Sequence, residues 1–336
     1  MSTPIRTALL GAGNSGLWYH AVGNLLESPL YDLVAIASGS AASAAHAQAV
    51  TGVESVVGWE TLIERPDIDL VVVALPHHLH SPAAIAAARA GKHVLVDKPM
   101  APTVAECDAM IAAAREASVH LEVFQQRRWE EDFQLLLRLV REGAIGDVWR
   151  LEVTRFHRGY YRHAAPDAPH TGPDVLKWAH EDASGGGIGF VVGPHPVDQA
   201  LTVMGTPVGV RGRVRHEPGE DVESWIGIEL DFDGGATAAV NVFRAARATP
   251  PRFVAHGARG TIVAGDGRSL EVLKGDGSRE FYDDLTPPTR LGGYVYDRLA
   301  AAIRDHGDLA VGAIAGRAVV DVIERARGCG RKALKV

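Results

Sequence analysis

An apolar stretch, Thr7-Ala-Leu-Leu10, runs straight into Gly11-Ala-Gly13-Asn-Ser-Gly16. No other feature of the chain limits its fold as tightly. Gly11 lets the backbone turn sharply, Gly13 removes the Cβ that would keep a phosphate away, and Gly16 lets the next helix sit close to the sheet. The N–H groups at that helix start, aided by the helix dipole, then face an anion. Glycine triplets also occur in plain turns, so context decides. Here a second apolar run, Leu33-Val-Ala-Ile-Ala-Ser38, follows after a helix-length stretch. Strand, helix and strand together make the unit that holds a dinucleotide pyrophosphate.

A chain of 336 residues is long for one core, and two domains are expected, 1–125 and 126–336. The net charge of −7 comes with scattered basic residues, which argues against nucleic acid or an anionic membrane surface as partner. Cys107 and Cys329 lack metal-ligand spacing and read as reduced thiols. No metal is expected. The stretch after Arg6 has no secretory pattern, and no apolar run approaches the roughly 18–20 residues that cross a bilayer. The expectation is a soluble, cytoplasmic protein without repeats.

Along the first domain the elements alternate as a doubly wound sheet requires. Residues 15–27 carry helical spacing, Ala41–Val50 reads as a helix, and Val53–Val57 as a short strand. Asp69-Leu-Val-Val-Val-Ala-Leu75 is a continuous apolar run, the mark of a parallel strand buried on both faces. Ser81 reads as a helix cap with Pro82 in the first turn and Gly91 beyond the end. His93–Asp97 is the next strand. Thr103 and Glu106 form a capping-box pattern, and Leu121–Phe124 closes the sheet.

The ribose 2′ position is read at the carboxyl end of the second strand. Asp32 lies about 20 residues past the glycines but begins that strand, roughly 20 Å from its far end at about 3.3 Å per residue. The residues at the far end are Ser38-Gly39-Ser40, with no carboxylate to take both ribose hydroxyls or to repel a 2′-phosphate. No Arg or Lys lies in that segment either. The balance favours NADP(H), with NAD(H) as the other candidate.

Asp97-Lys98-Pro99 stands at the carboxyl end of a buried strand, the catalytic edge of such a sheet. A lysine there can hydrogen-bond a substrate hydroxyl, stabilise an alkoxide and relay a proton. The turn Ala74-Leu-Pro-His77-His78-Leu-His80 is the neighbouring edge loop, its histidines either surface residues or pocket lining.

These motifs, with Gly185-Gly-Gly187 and His195-Pro-Val-Asp198 later on, resemble the glucose–fructose oxidoreductase and inositol dehydrogenase family (Gfo/Idh/MocA) along nearly the whole chain. Val123-Phe-Gln-Gln-Arg-Arg-Trp129 and Gly193-Pro-His195-Pro-Val-Asp198-Gln-Ala-Leu201 look most like its NADP-dependent scyllo-inositol dehydrogenase branch. The resemblance implies a Rossmann domain, then an α/β domain with a large open, mostly antiparallel sheet. It implies hydride transfer between a nicotinamide and a carbinol or ketone of a cyclic polyol, sugar or related ring substrate. By motif position it makes Lys98 and His195 catalytic. It assigns cofactor contacts to Gly11, Gly13, Asn14, Ser15, Gly16, Ser38, Gly39, Ser40, Leu75, Pro76, His80, Asp97, Lys98 and Gln126. One departure stands out. The family usually carries Asp four residues before the histidine, and Val191 is found here, so the usual Lys–Asp–His relay is incomplete.

In the second domain, Trp129–Glu142 reads as an amphipathic helix ended by Gly143. After a strand at Val148–Phe156, about 30 residues without periodicity concentrate Tyr, His, Arg and Trp, from His157 to Glu181. Those types suit stacking on a sugar-like ring, or anchoring an ordinary surface loop. Strands are expected at 208–216, 224–232, 236–243, 252–256 and 261–264, then helices near 294–304 and 312–328. An open sheet needs its free face covered, which points to a homodimer or homotetramer. Two functions compete: an NAD(P)-dependent oxidoreductase, and a catalytically impaired cofactor-binding member serving as sensor or partner-binding module.

Overall fold

A computed structural model describes residues 3–156, 177–244, 250–265, 267–286 and 290–330. Two compact units result. The first holds the described residues up to Gln126 together with Arg290–Val320, and the second holds the rest.

Six strands build the first unit: β1 (Ile5–Leu10), β2 (Tyr31–Ser38), β3 (Ser55–Val57), β4 (Leu70–Val73), β5 (His93–Asp97) and β6 (Leu121–Phe124). They lie in the order β3-β2-β1-β4-β5-β6, with every pairing parallel. All four residues of β4 are fully buried, as the unbroken apolar run requires of a strand covered on both faces. Each such side chain is worth about 1.5–3 kcal/mol of transfer free energy. Strand order reverses between β1 and β4, so their carboxyl ends flank the crevice in which sheets of this kind bind ligands.

Two helices differ from expectation. The first, Ser15–Leu25, is wound as a π-helix. Its buried residues recur in pairs four apart, Gly16 and Leu17, His20 and Ala21, Asn24 and Leu25, a longer period than an α-helix presents. The other begins at His80, one residue before Ser81, and no side chain caps it. A 3₁₀ turn over His77–Leu79 feeds straight into this helix, so the extended residue that a cap requires is missing. Thr103 and Glu106 do form the capping box, with Glu106 N donating to Thr103 Oγ1 at 3.2 Å and Thr103 N to Glu106 Oε2 at 3.0 Å.

The second unit is an open eight-stranded sheet. Its strands are β7 (Val148–Phe156), β8 (Gly209–His216), β9 (Glu223–Asp231), β10 (Thr237–Phe243), β11 (Phe253–Gly257), β12 (Gly260–Ala264), β13 (Leu270–Lys274) and β14 (Arg279–Tyr282). The order is β14-β13-β12-β11-β7-β10-β9-β8, antiparallel throughout except where β7 meets β10. Leu151 and Val153 of β7, Ile226 and Ile228 of β9 and Val240 of β10 line one buried face. The helix Pro194–Met204 packs on β7 and β10. The amphipathic helix Glu131–Arg141 buries Phe133, Leu136 and Leu137, and Gly143 (φ 72°) follows its end. Strands β13 and β14 were not anticipated. β14 forms one edge of the sheet, and its polar residues blunt the apolar alternation by which strands are found; β13, paired on both sides, buries Leu270 and Val272 but is short.

Candidate functional site

The glycine turn is built by close backbone packing. Gly11 has φ 112°, and a Cβ on it would sit 2.2 Å from the carbonyl oxygen of Ala74. A Cβ on Gly16 would lie 1.8 Å from the Gly11 oxygen, so those two positions admit only glycine. Gly13 differs: nothing lies within 4 Å of the place its Cβ would take. Gly13 and Asn14 are exposed, and the open side lies over the first turn of the helix, where backbone N–H groups have no partner within the helix.

At the end of β2, Ser38 Oγ is buried and makes no hydrogen bond among the described residues. Gly39 opens onto free space, while Ser40 caps the helix Ala41–Thr51 by accepting from Ser43 N at 3.2 Å. No acidic residue lies in that helix's first turn. Asp32 sits at the other end of the strand, paired with Arg6 at 3.0 Å.

Beyond β4, Leu75 and Pro76 are half-buried. His80 is buried, with Nδ1 2.9 Å from the Pro99 oxygen and Nε2 2.8 Å from the Leu75 oxygen. Burial lowers its pKa, while Asp97 and the two carbonyls, each facing a ring nitrogen, act in the opposite direction. His80 thus ties the β4 loop to the turn after β5. In that turn Asp97 accepts the Lys98 N–H at Oδ1 (2.8 Å) and the Ser15 hydroxyl at Oδ2 (2.5 Å). Burial pushes the Asp97 carboxyl up. The contacts of His20, Lys98 and Ser15 outweigh burial and hold it below the usual carboxylate range. Lys98 is half-buried. Gln126, at the end of this unit, is buried, and its Oε1 makes no hydrogen bond among the described residues. Open space over Gly13, a buried Ser38 hydroxyl and a buried Gln126 amide oxygen, both lacking partners, fit a dinucleotide's phosphates and polar groups.

In the second unit His195 is the second residue of the helix Pro194–Met204 and is buried. Asp198, one turn on, is taken by Arg128 through two hydrogen bonds of 2.6 Å. Val191 is 2% exposed, between buried Phe190 and Val192. The glycine loop before them is clamped. Glu223 Oε1 accepts Gly189 N at 2.9 Å, and Glu223 Oε2 accepts from Arg327 Nη2 at 2.8 Å. Arg327 also donates to the Gly186 carbonyl and to Asp182. A Cβ on Gly187 (φ 95°) would fall 2.6 Å from the Glu223 carboxylate, which accounts for glycine there. Of the aromatic stretch singled out in the sequence, 157–176 lies outside the described residues. Among the described residues no three His, Cys, Asp or Glu side chains gather to hold a metal ion, and no helix is long and apolar enough to cross a membrane.

Sequence reasoning missed His20, Tyr296, Glu130, Glu223 and Arg327. Apart from Arg127 beside Glu130, their partners lie 25 or more residues away in the chain, and no local spacing announces them. Only the four-residue recurrence that places His20 could have been found in advance.

Residues 5–125 match the oxidoreductase family with an NAD-binding Rossmann fold, and residues 133–263 match the GFO/IDH/MocA C-terminal domain. The chain belongs to the Gfo/Idh/MocA family of oxidoreductases. It is 32% identical over 264 residues to the uncharacterized oxidoreductase YdgJ of Escherichia coli, covering 78% of this chain and 72% of that one. It is 28% identical over 352 residues to the scyllo-inositol 2-dehydrogenase (NADP(+)) IolW of Bacillus subtilis, covering 96% and 92%. A solved levoglucosan dehydrogenase in complex with NADH and levoglucosan superposes with a TM-score of 0.82 at 25% identity, covering 98% of both chains. Both expectations drawn from the resemblance, the family and the two-sheet architecture, hold.

Proposed function

We propose that this oxidoreductase transfers hydride between NADP(H) and a carbinol or ketone of a cyclic polyol, sugar or related ring substrate, with Lys98 as the proton-transfer group. The observation that carries the reading is the Asp97-Lys98-Pro99 turn at the carboxyl end of β5. There a buried, ionised carboxylate fixes the lysine's backbone. An ammonium in that place donates a hydrogen bond to a substrate oxygen, stabilises the alkoxide and takes or returns the proton. The nicotinamide, when bound, supplies hydride acceptance or donation at its C4. The relatives' names agree with a substrate of this class, one being a scyllo-inositol dehydrogenase and another a levoglucosan dehydrogenase.

Preference for NADP(H) rests on the end of β2. The turn carries no carboxylate, and Ser38 offers an unspent buried hydroxyl. The positive partner that the segment lacks as a side chain is supplied by the N-terminus of Ala41–Thr51, an 11-residue helix with no acid in its first turn. Gly11, Gly13, Asn14, Ser15 and Gly16 would hold the pyrophosphate; Ser38, Gly39 and Ser40 the 2′-phosphate. Leu75, Pro76, His80, Asp97, Lys98 and Gln126 would surround the nicotinamide half. His80 and Asp97 would do so through the backbone they fix, since their polar atoms are already engaged. His195 would serve on the substrate side.

A second reading, a cofactor binder that has lost dehydrogenase activity, draws on the buried Val191 in place of the usual acid. One assay separates the two. Absorbance of the reduced nicotinamide near 340 nm is followed with inositols, anhydro-sugars, aldoses and keto-sugars, each with NADP(H) and NAD(H). Turnover on a ring polyol or sugar supports the oxidoreductase reading. Tight cofactor binding without turnover on any of them favours the second.

A further inference from the structure

Behind the Lys98 turn lies a buried string of polar groups whose His20, Tyr296 and Tyr31 belong to no sequence motif. Asp97 Oδ2 accepts the Ser15 hydroxyl at 2.5 Å, while His20 Nε2, from the same π-wound helix, lies 3.9 Å away, beyond hydrogen-bond reach, buried and without a hydrogen-bond partner among the described residues. His20 Nδ1 lies 2.8 Å from the Tyr296 hydroxyl, and the ring packs on Phe124 with centroids 4.3 Å apart. The Tyr31 hydroxyl donates to the Tyr296 carbonyl at 2.5 Å. All of these residues belong to the first unit.

The winding explains how Ser15 and His20 reach one carboxylate. In an α-helix, residues five apart are separated by about 140° around the axis, at about 100° per residue. In a helix closed by i→i+5 bonds, with about 4.4 residues per turn, the separation drops to about 50°. Only the wider winding sets both on the Asp97 side. Windings of this kind are costly and concentrate at functional sites.

Burial first, then the nearby Tyr31 and Asp97, raise the pKa of Tyr296 well above the ordinary range, so it remains a phenol. A phenol donates to or accepts from a ring nitrogen; when it donates to His20 Nδ1, the ring N–H is on Nε2, the nitrogen that faces Asp97. Asp97 in turn holds the Lys98 N–H with its other oxygen. The titratable and charged groups acting on the string are Asp97, Lys98 and His80 at the turn, and Tyr31, Tyr296, Glu122, Asp297, Arg290 and Arg304 on the tyrosine side.

We infer that Tyr296 donates to His20 Nδ1 and that His20 is a positioning residue for Lys98, acting through Asp97: its Nε2–H, 3.9 Å from Oδ2, acts through space as a dipole aimed at the carboxylate that fixes the lysine's backbone and stabilises its ammonium. This inference rests on the reading of Lys98 as the proton-transfer group. It predicts a change at the lysine itself, measurable without substrate. The full-length protein is labelled competitively with acetic anhydride across pH, and acetylation of Lys98 is quantified by peptide mass spectrometry against Lys274, which pairs with Glu280 in the second unit.

Asp97→Asn is expected to lower the pH midpoint of Lys98 labelling by about one unit, since it removes an adjacent opposite charge. His20→Leu and Tyr296→Phe are expected to lower it by about 0.3 unit, a roughly twofold rise in labelling below the midpoint. In Tyr296→Phe the ring proton is free to move to Nδ1, turning a lone pair toward Asp97. His20→Gln, which restores an N–H, is expected to return the midpoint to within 0.1 unit of wild type. Lys274 should not move. Tyr296→Phe carries the test if His20→Leu does not fold.

An unmoved Lys98 midpoint in Asp97→Asn, or in both His20→Leu and Tyr296→Phe, overturns the inference. So does a His20→Gln shift as large as that of His20→Leu, which would make the ring mere packing. Turnover of Lys98→Ala tests the underlying reading separately, because labelling reports on positioning whether or not the lysine carries the proton.

Discussion

Glu130 is the most heavily loaded carboxylate in the second unit, and replacing it by Gln is expected to weaken that unit by about 3 kcal/mol at neutral pH. Its Oε1 accepts from Arg127, and its Oε2 accepts from both Arg252 and Arg155, the last at 2.8 Å. Asp132 takes the other side of Arg252 at 2.8 Å. Three guanidinium groups therefore share two carboxylates, and Glu130 touches all three. Burial raises the Glu130 pKa, but Arg155, Arg127 and Arg252 outweigh it and push it down to about 2 from an ordinary 4.5. At about 1.4 kcal/mol per unit, that difference is worth roughly 3 kcal/mol once the side chain is ionised in both states. The folded-state pKa is depressed, so the contribution is complete above about pH 4.5 and is lost as pH falls toward 2. Linkage gives about 1.4 kcal/mol remaining at pH 3, so the deficit of the variant should shrink by more than half there. The assay is calorimetric unfolding of wild type and Glu130→Gln at pH 7 and pH 3. For a unit of this size the neutral deficit corresponds to a fall in Tm of about 6–12 °C. A deficit below about 1 kcal/mol at pH 7, or an equal one at both pH values, would refute the account of Glu130 as the hub of this cluster.

The parts of the fold that could be read in advance are those written in local patterns. β4 is an unbroken apolar run because a parallel strand is covered on both faces, and the Thr103 capping box is a four-residue signal that the structure reproduces. The glycine turn was legible for the same reason, since Gly11 and Gly16 answer to steric contacts within a few residues or across to β4. The Ser81 cap misled because capping depends on the backbone conformation of the preceding residue. Leu79 is already helical there, and residue types alone do not report it. The edge strand β14 escaped because it answers to solvent as much as to the core, while β13, paired on both sides, escaped because it is only five residues long. The position of Lys98 at the carboxyl end of β5 was legible from the buried strand before it. What holds it was not. His80 bonds to the carbonyls of Leu75 and Pro99, and Asp97 bonds into a helix 82 residues earlier in the chain. Polar contacts between distant segments leave no periodicity. The packing of Gly293–Asp305 in the first unit is of the same kind, visible only once Tyr296 is seen against His20 and Tyr31.

Lys98→Ala is expected to leave NADPH affinity within a few-fold, measured by fluorescence titration, and to reduce turnover by about 10²-fold or more. Near-wild-type turnover by a folded variant would remove the lysine from the mechanism. The wild type is expected to bind NADPH more tightly than NADH, and Ser38→Asp to narrow or reverse that order by adding a ribose-hydroxyl acceptor and repelling phosphate. A wild-type preference for NADH by tenfold, about 1.4 kcal/mol, would contradict the reading of the β2 turn. Val191→Asp tests whether the site has been rebuilt around an apolar wall. The position is 2% exposed, so the new carboxyl should have a raised pKa in the folded state. A raised folded pKa makes the cost full above that pKa and lets it vanish below the unfolded value near 4. The variant should therefore melt several degrees below wild type at pH 8 and approach it at pH 4. If the pocket instead still accommodates the acid common in the family, Val191→Asp keeps its Tm at pH 8 and gains activity on an inositol. That result would mean that the missing carboxylate, and not a reshaped wall, is what separates this chain from an ordinary polyol dehydrogenase.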